Sequence, residues 1–261
     1  KMKKDNKVSI RELVFKANKG EYHLKSTLEL LDNHQYLWSM KGTANDIDVN
    51  RLFQELNNFG QTFITDKQIK GKANVEIELS TLLNQDLKID LDQLYIKSEI
   101  MIQKGELIDN SSLIDIAKYF SENKWTNKAL DINKLTNKLK HVKFSELENS
   151  IVISNGNIKI PRMLIKSNVM TMEISGDHAF NNSIDYHLNF RMREILLKRK
   201  QQEEFGPIQD DELGTKLFLH MYGTVEQPFF ELDKGERKRA RNEHLNQEKE
   251  SLKEILKQEI G

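Results

Sequence analysis

A chain of 261 residues with 40 basic and 40 acidic side chains has no net field to draw it toward nucleic acid or an anionic surface. The lack of cysteine excludes disulfides, thiolate metal centres and cysteine nucleophiles, and 31% charged residues with 3 prolines describe a folded, well-solvated chain. No apolar run approaches the roughly eighteen residues of a membrane span, and no signal-peptide pattern is present.

Taken in order, the chain opens with strand signals. Tyr22, Leu24, Ser26, Leu28 and Leu30 alternate with His23, Lys25, Thr27 and Glu29, the period of a half-exposed strand. Val75, Ile77 and Leu79 alternate in the same way with Glu76 and Glu78. Between them, Val49, Leu52, Phe53 and Leu56 fall at helical spacing over residues 48–59, with Asp46 or Asp48 as cap and Gly60 as stop. A second helix is predicted over 110–120, where Leu113, Ile114, Ala117 and Tyr119 or Phe120 form the stripe and Asn110 or Ser111 caps the start. Residues 125–143, rich in lysine and asparagine, read as a polar, partly helical connection.

Asn155-Gly156 lies between Ile151-Val152-Ile153 and Ile158-Lys159-Ile160, the signature of a two-residue hairpin turn, and Pro161 is expected to close the second strand. Further strands are predicted over 163–175, 176–180 and 184–192, with a turn at Asn181-Asn182. A basic helix is expected over 191–204, an acidic loop over 206–214 and a strand over 215–222. Residues 234–260 then favour a long helix with Leu245, Leu252, Ile255 and Leu256 on a thin stripe.

One strand word recurs about every seventy residues: Leu24-Lys25-Ser26-Thr27-Leu28, Ile96-Lys97-Ser98-Glu99-Ile100 and Ile165-Lys166-Ser167-Asn168-Val169. Each copy is followed by more strand and a glycine, Gly42, Gly105 or Gly176. The expected fold is therefore mainly β, an antiparallel sheet built from repeated strands over 1–233 with peripheral helices, followed by a charged helix over 234–261.

Catalytic signatures are lacking: there is no Gly-x-Ser-x-Gly elbow, no phosphate loop and no His-Glu-x-x-His pair. Asp177, His178, Asp185 and His187 come nearest to a metal or acid–base set. Adjacent strand residues point to opposite faces, so the four cannot converge simply, and no metal, cofactor or catalytic residue is expected. The cations Lys234, Arg237, Lys238, Arg239 and Arg241 share their helix with glutamates, which describes a solvated helix rather than a nucleic-acid surface. Trp38 and Trp125 read as packing residues.

A family resemblance rests on the later strands. Phe144 and Leu147, Ile151 to Ile160 with Asn155-Gly156, Ile165-Lys166-Ser167, Ile174-Ser175-Gly176-Asp177-His178, Ile184-Asp185-Tyr186 and Gly223-Thr224 with Pro228 resemble the C-terminal region of AsmA-like proteins. Asp48-Val49-Asn50-Arg51-Leu52-Phe53 and Gly105-Glu106-Leu107 are similar to upstream elements of that region. The resemblance implies a non-enzymatic module of the bacterial envelope, held in the inner membrane by an N-terminal helix missing from this chain, with its body in the periplasm. It also implies an elongated curved antiparallel sheet or groove, kinship with bridge-like lipid-transfer proteins and a part in phospholipid transport or outer-membrane biogenesis. At about 0.8 kcal/mol per methylene, sheltering a sixteen-carbon tail is worth on the order of 12 kcal/mol. The apolar faces that could supply the shelter carry Leu28, Leu30, Val75, Ile77, Leu79, Ile100, Ile102, Ile151, Ile153 and Val169. The alternative is an assembly factor whose exposed sheet edge binds client strands.

Overall fold

The computed structural model describes residues 6–31, 34–191 and 216–260. The basic helix expected over 191–204 and the acidic loop over 206–214 lie almost wholly outside them. Eleven strands form one open sheet: β1 (Lys7–Ala17), β2 (Gly20–Leu30), β3 (Tyr36–Asp48), β4 (Ile69–Leu83), β5 (Tyr95–Ile108), β6 (His141–Ser154), β7 (Asn157–Lys166), β8 (Thr171–Ala179), β9 (Ser183–Arg191), β10 (Lys216–Thr224) and β11 (Pro228–Leu232). Spatial order equals chain order, and every pairing is antiparallel. The mainly β expectation holds.

Register turns the alternation of single strands into a property of the whole sheet. One cross-strand row runs Ile10, Ser26, Met40, Leu79, Ile96, Ile153, Ile158, His178, Ile184, Gly223 and Pro228, one residue from each strand. Side chains in such a row share a face. The face is mostly apolar, while Lys25, Lys41, Glu78, Lys97 and Val152 belong to a row on the opposite, mainly charged face. Local chemistry fixes the register. Asn155 and Gly156 take φ of 51° and 67°, the left-handed pair that a tight hairpin needs.

The helices follow their caps. Asp48 accepts the Arg51 N–H at the start of α1 (Val49–Glu55), and Asn110 accepts the Leu113 N–H at the start of α2 (Ser111–Glu122). Two short helices follow, α3 (Lys124–Ala129) and α4 (Ile132–Leu139), and α5 (Lys234–Ile260) ends the chain. The larger core presses Leu113, Ile116, Ala117, Phe120, Leu130, Leu135 and Leu139 onto the apolar side chains of β8–β10. A smaller one, built on Ala44, Ile47, Val49, Ile69 and Ala73, sits under α1.

Four expectations are corrected. Residues 125–143 are partly helical, as expected, but not merely a polar connection: they contain most of α3, α4 and the start of β6, and Leu130, Leu135 and Leu139 are at most 1% exposed. The stripe of α2 runs through Ile116 and Phe120, with Ile114 and Tyr119 only partly buried. Pro161 does not close β7 but sits inside it, where the register with β8 slips between Ile160 and Met163, so its missing donor falls at an irregularity in the ladder. The strand expected over 163–175 is two strands, because Ser167 Oγ accepts the backbone N–H of Met170 at 3.1 Å and turns the chain. The third copy of the repeated word therefore ends in a turn, whereas the first two lie within β2 and β5. Strand β1 was not foreseen.

Candidate functional site

The apolar face is covered unevenly. Leu24, Met40, Ile77, Leu79, Ile96, Ile151 and Ile153 belong to neither core cluster and stay partly exposed, so β2–β6 present an apolar platform beside the helix-covered strands. The platform continues onto the edge strand β1, where Val8, Ile10, Leu13 and Phe15 are exposed and register with Leu28, Ser26, Leu24 and Tyr22. Phe15 stacks on Tyr22 with ring centroids 4.9 Å apart.

Nine of the ten residues proposed from sequence lie on this one face. Leu28 stands opposite Trp38, and Leu30 opposite Tyr36. Ile100 pairs with Val75, Ile102 with Ala73, Ile77 with Ser98 and Leu79 with Ile96. Ile151 and Ile153 continue the face onto β6. Val75 and Ile102 also pack against the small core under α1, so they belong to the platform's margin. Val169 is a correction: it lies in the turn between β7 and β8, buried in the large core, and offers no surface to a ligand. Sequence reasoning missed Leu24 and Ile96, although each opens a copy of the repeated word and shares the parity of the residues that were named. It also missed Met40 and Ile158, which only the pairing register brings onto the row.

Polar groups on the platform are few and satisfied locally. Trp38 Nε1 donates to Ser26 Oγ at 2.9 Å, which leaves the indole's apolar surface beside Leu28. Trp125, the other tryptophan, has no described side chain. The opposite face carries charged groups with partners: Lys41 Nζ reaches Glu78 Oε1 at 2.7 Å, and Ser150 Oγ donates to Glu99 Oε1 at 2.8 Å. The hydrogen bond from Lys41 holds the Glu78 carboxyl below its ordinary range. A hollow of about 340 Å³ crosses that face at β3–β6, but Glu76, Glu99 and Glu148 line it, a setting hostile to an acyl chain.

The sheet has a seam. Strands β6 and β7 pair only at Val152–Lys159, Ile153–Ile158 and Ser154–Asn157, then diverge until an isolated bridge joins Phe144 to Ser167. Across the gap, Asn149 Nδ2 lies 3.5 Å from the Pro161 carbonyl oxygen. At the far end Asn168 closes it, accepting the Lys143 N–H on Oδ1 at 2.8 Å and donating its own N–H to the Lys143 carbonyl at 2.9 Å.

The four residues weighed as a metal or acid–base set divide between the faces. His178 is buried on the apolar face with Nδ1 3.2 Å from the Tyr186 hydroxyl, and burial pushes its pKa down against the raising effect of Asn182 and Glu226. Burial likewise pushes the Tyr186 phenol well above its ordinary range, so it stays protonated. Asp177, Asp185 and His187 lie on the charged face, where Asp177 accepts from Asn157 Nδ2 at 3.0 Å. Among the described residues no helix is long and apolar enough to cross a membrane.

No protein family, curated protein or solved structure matches this chain.

Proposed function

We propose that the platform on β1–β6 shelters lipid acyl chains, as the resemblance to AsmA-like proteins implies, and that the chain is a non-enzymatic module of phospholipid transport or outer-membrane biogenesis. The reading rests on one observation: a cross-strand apolar face that is continuous in register yet only partly covered at Leu24, Met40, Ile77, Ile96 and Ile153. An apolar area of that kind costs free energy in water at about 25 cal/mol per Å², which an acyl chain lying across the strands would recover. At about 4.8 Å between neighbouring strands, six strands give a path of about 24 Å. In this reading the module works in the periplasm, anchored to the inner membrane through a helix outside this chain.

The test is lipid extraction of the protein purified from bacterial membranes, followed by mass spectrometry, with a photo-crosslinker placed at Ile77 or at its neighbour Glu78. The two positions point to opposite faces, so lipid adducts at Ile77 but not at Glu78 are expected. Equal labelling at both positions, or no stoichiometric lipid, would sink the reading.

One observation favours a second reading. Among the described residues no strand lies beside the outer edge of β1, and Val8 is 69% exposed, so a client strand could add there by backbone hydrogen bonding, as an assembly factor requires. Replacing Ser9 by proline should abolish such binding while leaving lipid adducts at Ile77 intact.

A further inference from the structure

On the charged face of β9–β11 two imidazoles are built into a framework that the platform does not use. His187 of β9 and His220 of β10 are register partners, and their rings stack with centroids 5.0 Å apart and planes 8° from parallel. Asp185 stands two residues before His187 on the same face, opposite Tyr222, whose ring packs 4.8 Å from that of His220. Each imidazole is held from behind by its own carboxylate: Nδ1 of His187 lies 2.5 Å from Asp233 Oδ2, and Nδ1 of His220 lies 3.2 Å from Glu231 Oε1. Both Nε2 atoms turn toward a third carboxylate, with Asp185 Oδ1 at 2.7 Å from His220 and 3.8 Å from His187.

We propose that Asp185, His187 and His220 bind a divalent transition-metal ion of the zinc class. A carboxylate on Nδ1 fixes that nitrogen as the N–H donor and directs the Nε2 lone pair outward, the second-layer arrangement that orients metal-binding histidines. Here it occurs twice, and both Nε2 atoms lie within 3.8 Å of the same carboxylate oxygen. The three ligand atoms lie within 4.8 Å of one another. Tetrahedral bonds of about 2.0–2.1 Å set ligand atoms about 3.3 Å apart, so Asp185 Oδ1 has to move about half an ångström away from His220 and toward His187, and the two near-parallel rings have to tilt toward each other for both Nε2 lone pairs to meet one ion. It takes the place of the proton that His220 Nε2 otherwise shares with Asp185. Two imidazoles and one carboxylate suit Zn²⁺, Co²⁺ or Ni²⁺ better than a hard cation, and a fourth position stays open to water or to a partner's side chain.

This set differs from the one weighed in the sequence, where no metal was expected. His220 replaces Asp177 and His178, and only the pairing of β9 with β10 brings it beside His187. The site also reaches α5. Asp233 holds His187 through Oδ2 and accepts the Glu236 N–H on Oδ1 at 2.8 Å, so one carboxylate orients the ligand and caps the terminal helix.

The test is a Co²⁺ titration of the full chain, read by visible absorption and reversed by Zn²⁺. One equivalent should give ligand-field bands. His220→Gln and His187→Gln should each weaken binding more than tenfold, and Asp233→Asn by about ten- to a hundredfold, the usual cost of losing an outer-shell partner. His23→Gln, on the charged face of β2, should leave binding unchanged. Absence of bands, or wild-type affinity in His220→Gln, would overturn the proposal. If the variants fail to fold, the unmodified chain decides. Substoichiometric Co²⁺ should shift or broaden the NMR signals of His187 and His220 before those of the buried His178, and a uniform response of all imidazoles would count against the site.

Discussion

In β9 and β10 the apolar side chains Tyr186, Leu188, Phe190, Leu219 and Met221 are at most 3% exposed beneath α2–α4, whereas Leu24, Met40, Ile77 and Ile96 on the same face of β2–β5 remain partly open. The two regions share topology and alternation. Their difference comes from the helical insertion between β5 and β6, which packs on the strands that follow it rather than on those before it. Covered and open regions of one face thus divide the work: the first supplies most of the core, and the second is left available.

Breaking the covered region should have the largest effect. Phe120, fully buried and edge-on to Phe190, should cost about 3–5 kcal/mol of unfolding free energy as Phe120→Ala, measured by urea denaturation. A smaller loss, about 2 kcal/mol, is expected for Gly176→Ala, because φ is +148° there and the added Cβ would lie 2.1 Å from the Asp185 carbonyl oxygen. In the open region Ile77→Ala should cost only about 1 kcal/mol, while reducing lipid recovered by extraction several-fold. Equal stability losses for Phe120→Ala and Ile77→Ala would erase the distinction between the two regions. On the charged face, Lys41→Ala should change stability by less than about 1 kcal/mol, since its bond to Glu78 is exposed.

The covered region should also carry its own pH dependence. Burial keeps His178 neutral, with its folded-state pKa below the ordinary imidazole value. As pH falls below about 6.5 the unfolded chain takes up this proton first, so the contribution to stability declines until the folded-state pKa is passed. Comparing urea midpoints at about pH 7.5 and about pH 5.5, His178→Phe should reduce the drop seen in the unmodified chain. An unchanged drop would assign it to other groups.

Much of the sheet was legible locally. Period-two alternation identified β2 and β4, Asn155-Gly156 marked the β6–β7 hairpin, and α5 followed from helix-favouring composition. Each helix start was narrowed to two cap candidates, Asp46 or Asp48 and Asn110 or Ser111, of which Asp48 and Asn110 are the caps. The failures are non-local. Leu130, Leu135 and Leu139 are outnumbered by lysine and asparagine, so average polarity hid the most buried leucines of the helical layer. Val169 sits in a sequence that reads as strand until the Ser167 side chain turns it. The parity of Ile77 or Ile151 was visible, but helical cover depends on where α2–α4 dock. His220 could not be matched to His187 because no local period encodes register across a connection of many residues.

The strictly sequential sheet makes width a separable quantity. Each strand bonds only to its chain neighbours, so no distant pairing must be preserved when one hairpin is lost or gained. Two extra strands would return the chain to its original direction, keep the apolar row on the same side and widen the sheet by about 9.6 Å. A chain built in this way can be lengthened by insertion as a zip is lengthened by teeth, with its span changing while its cross-section stays the same.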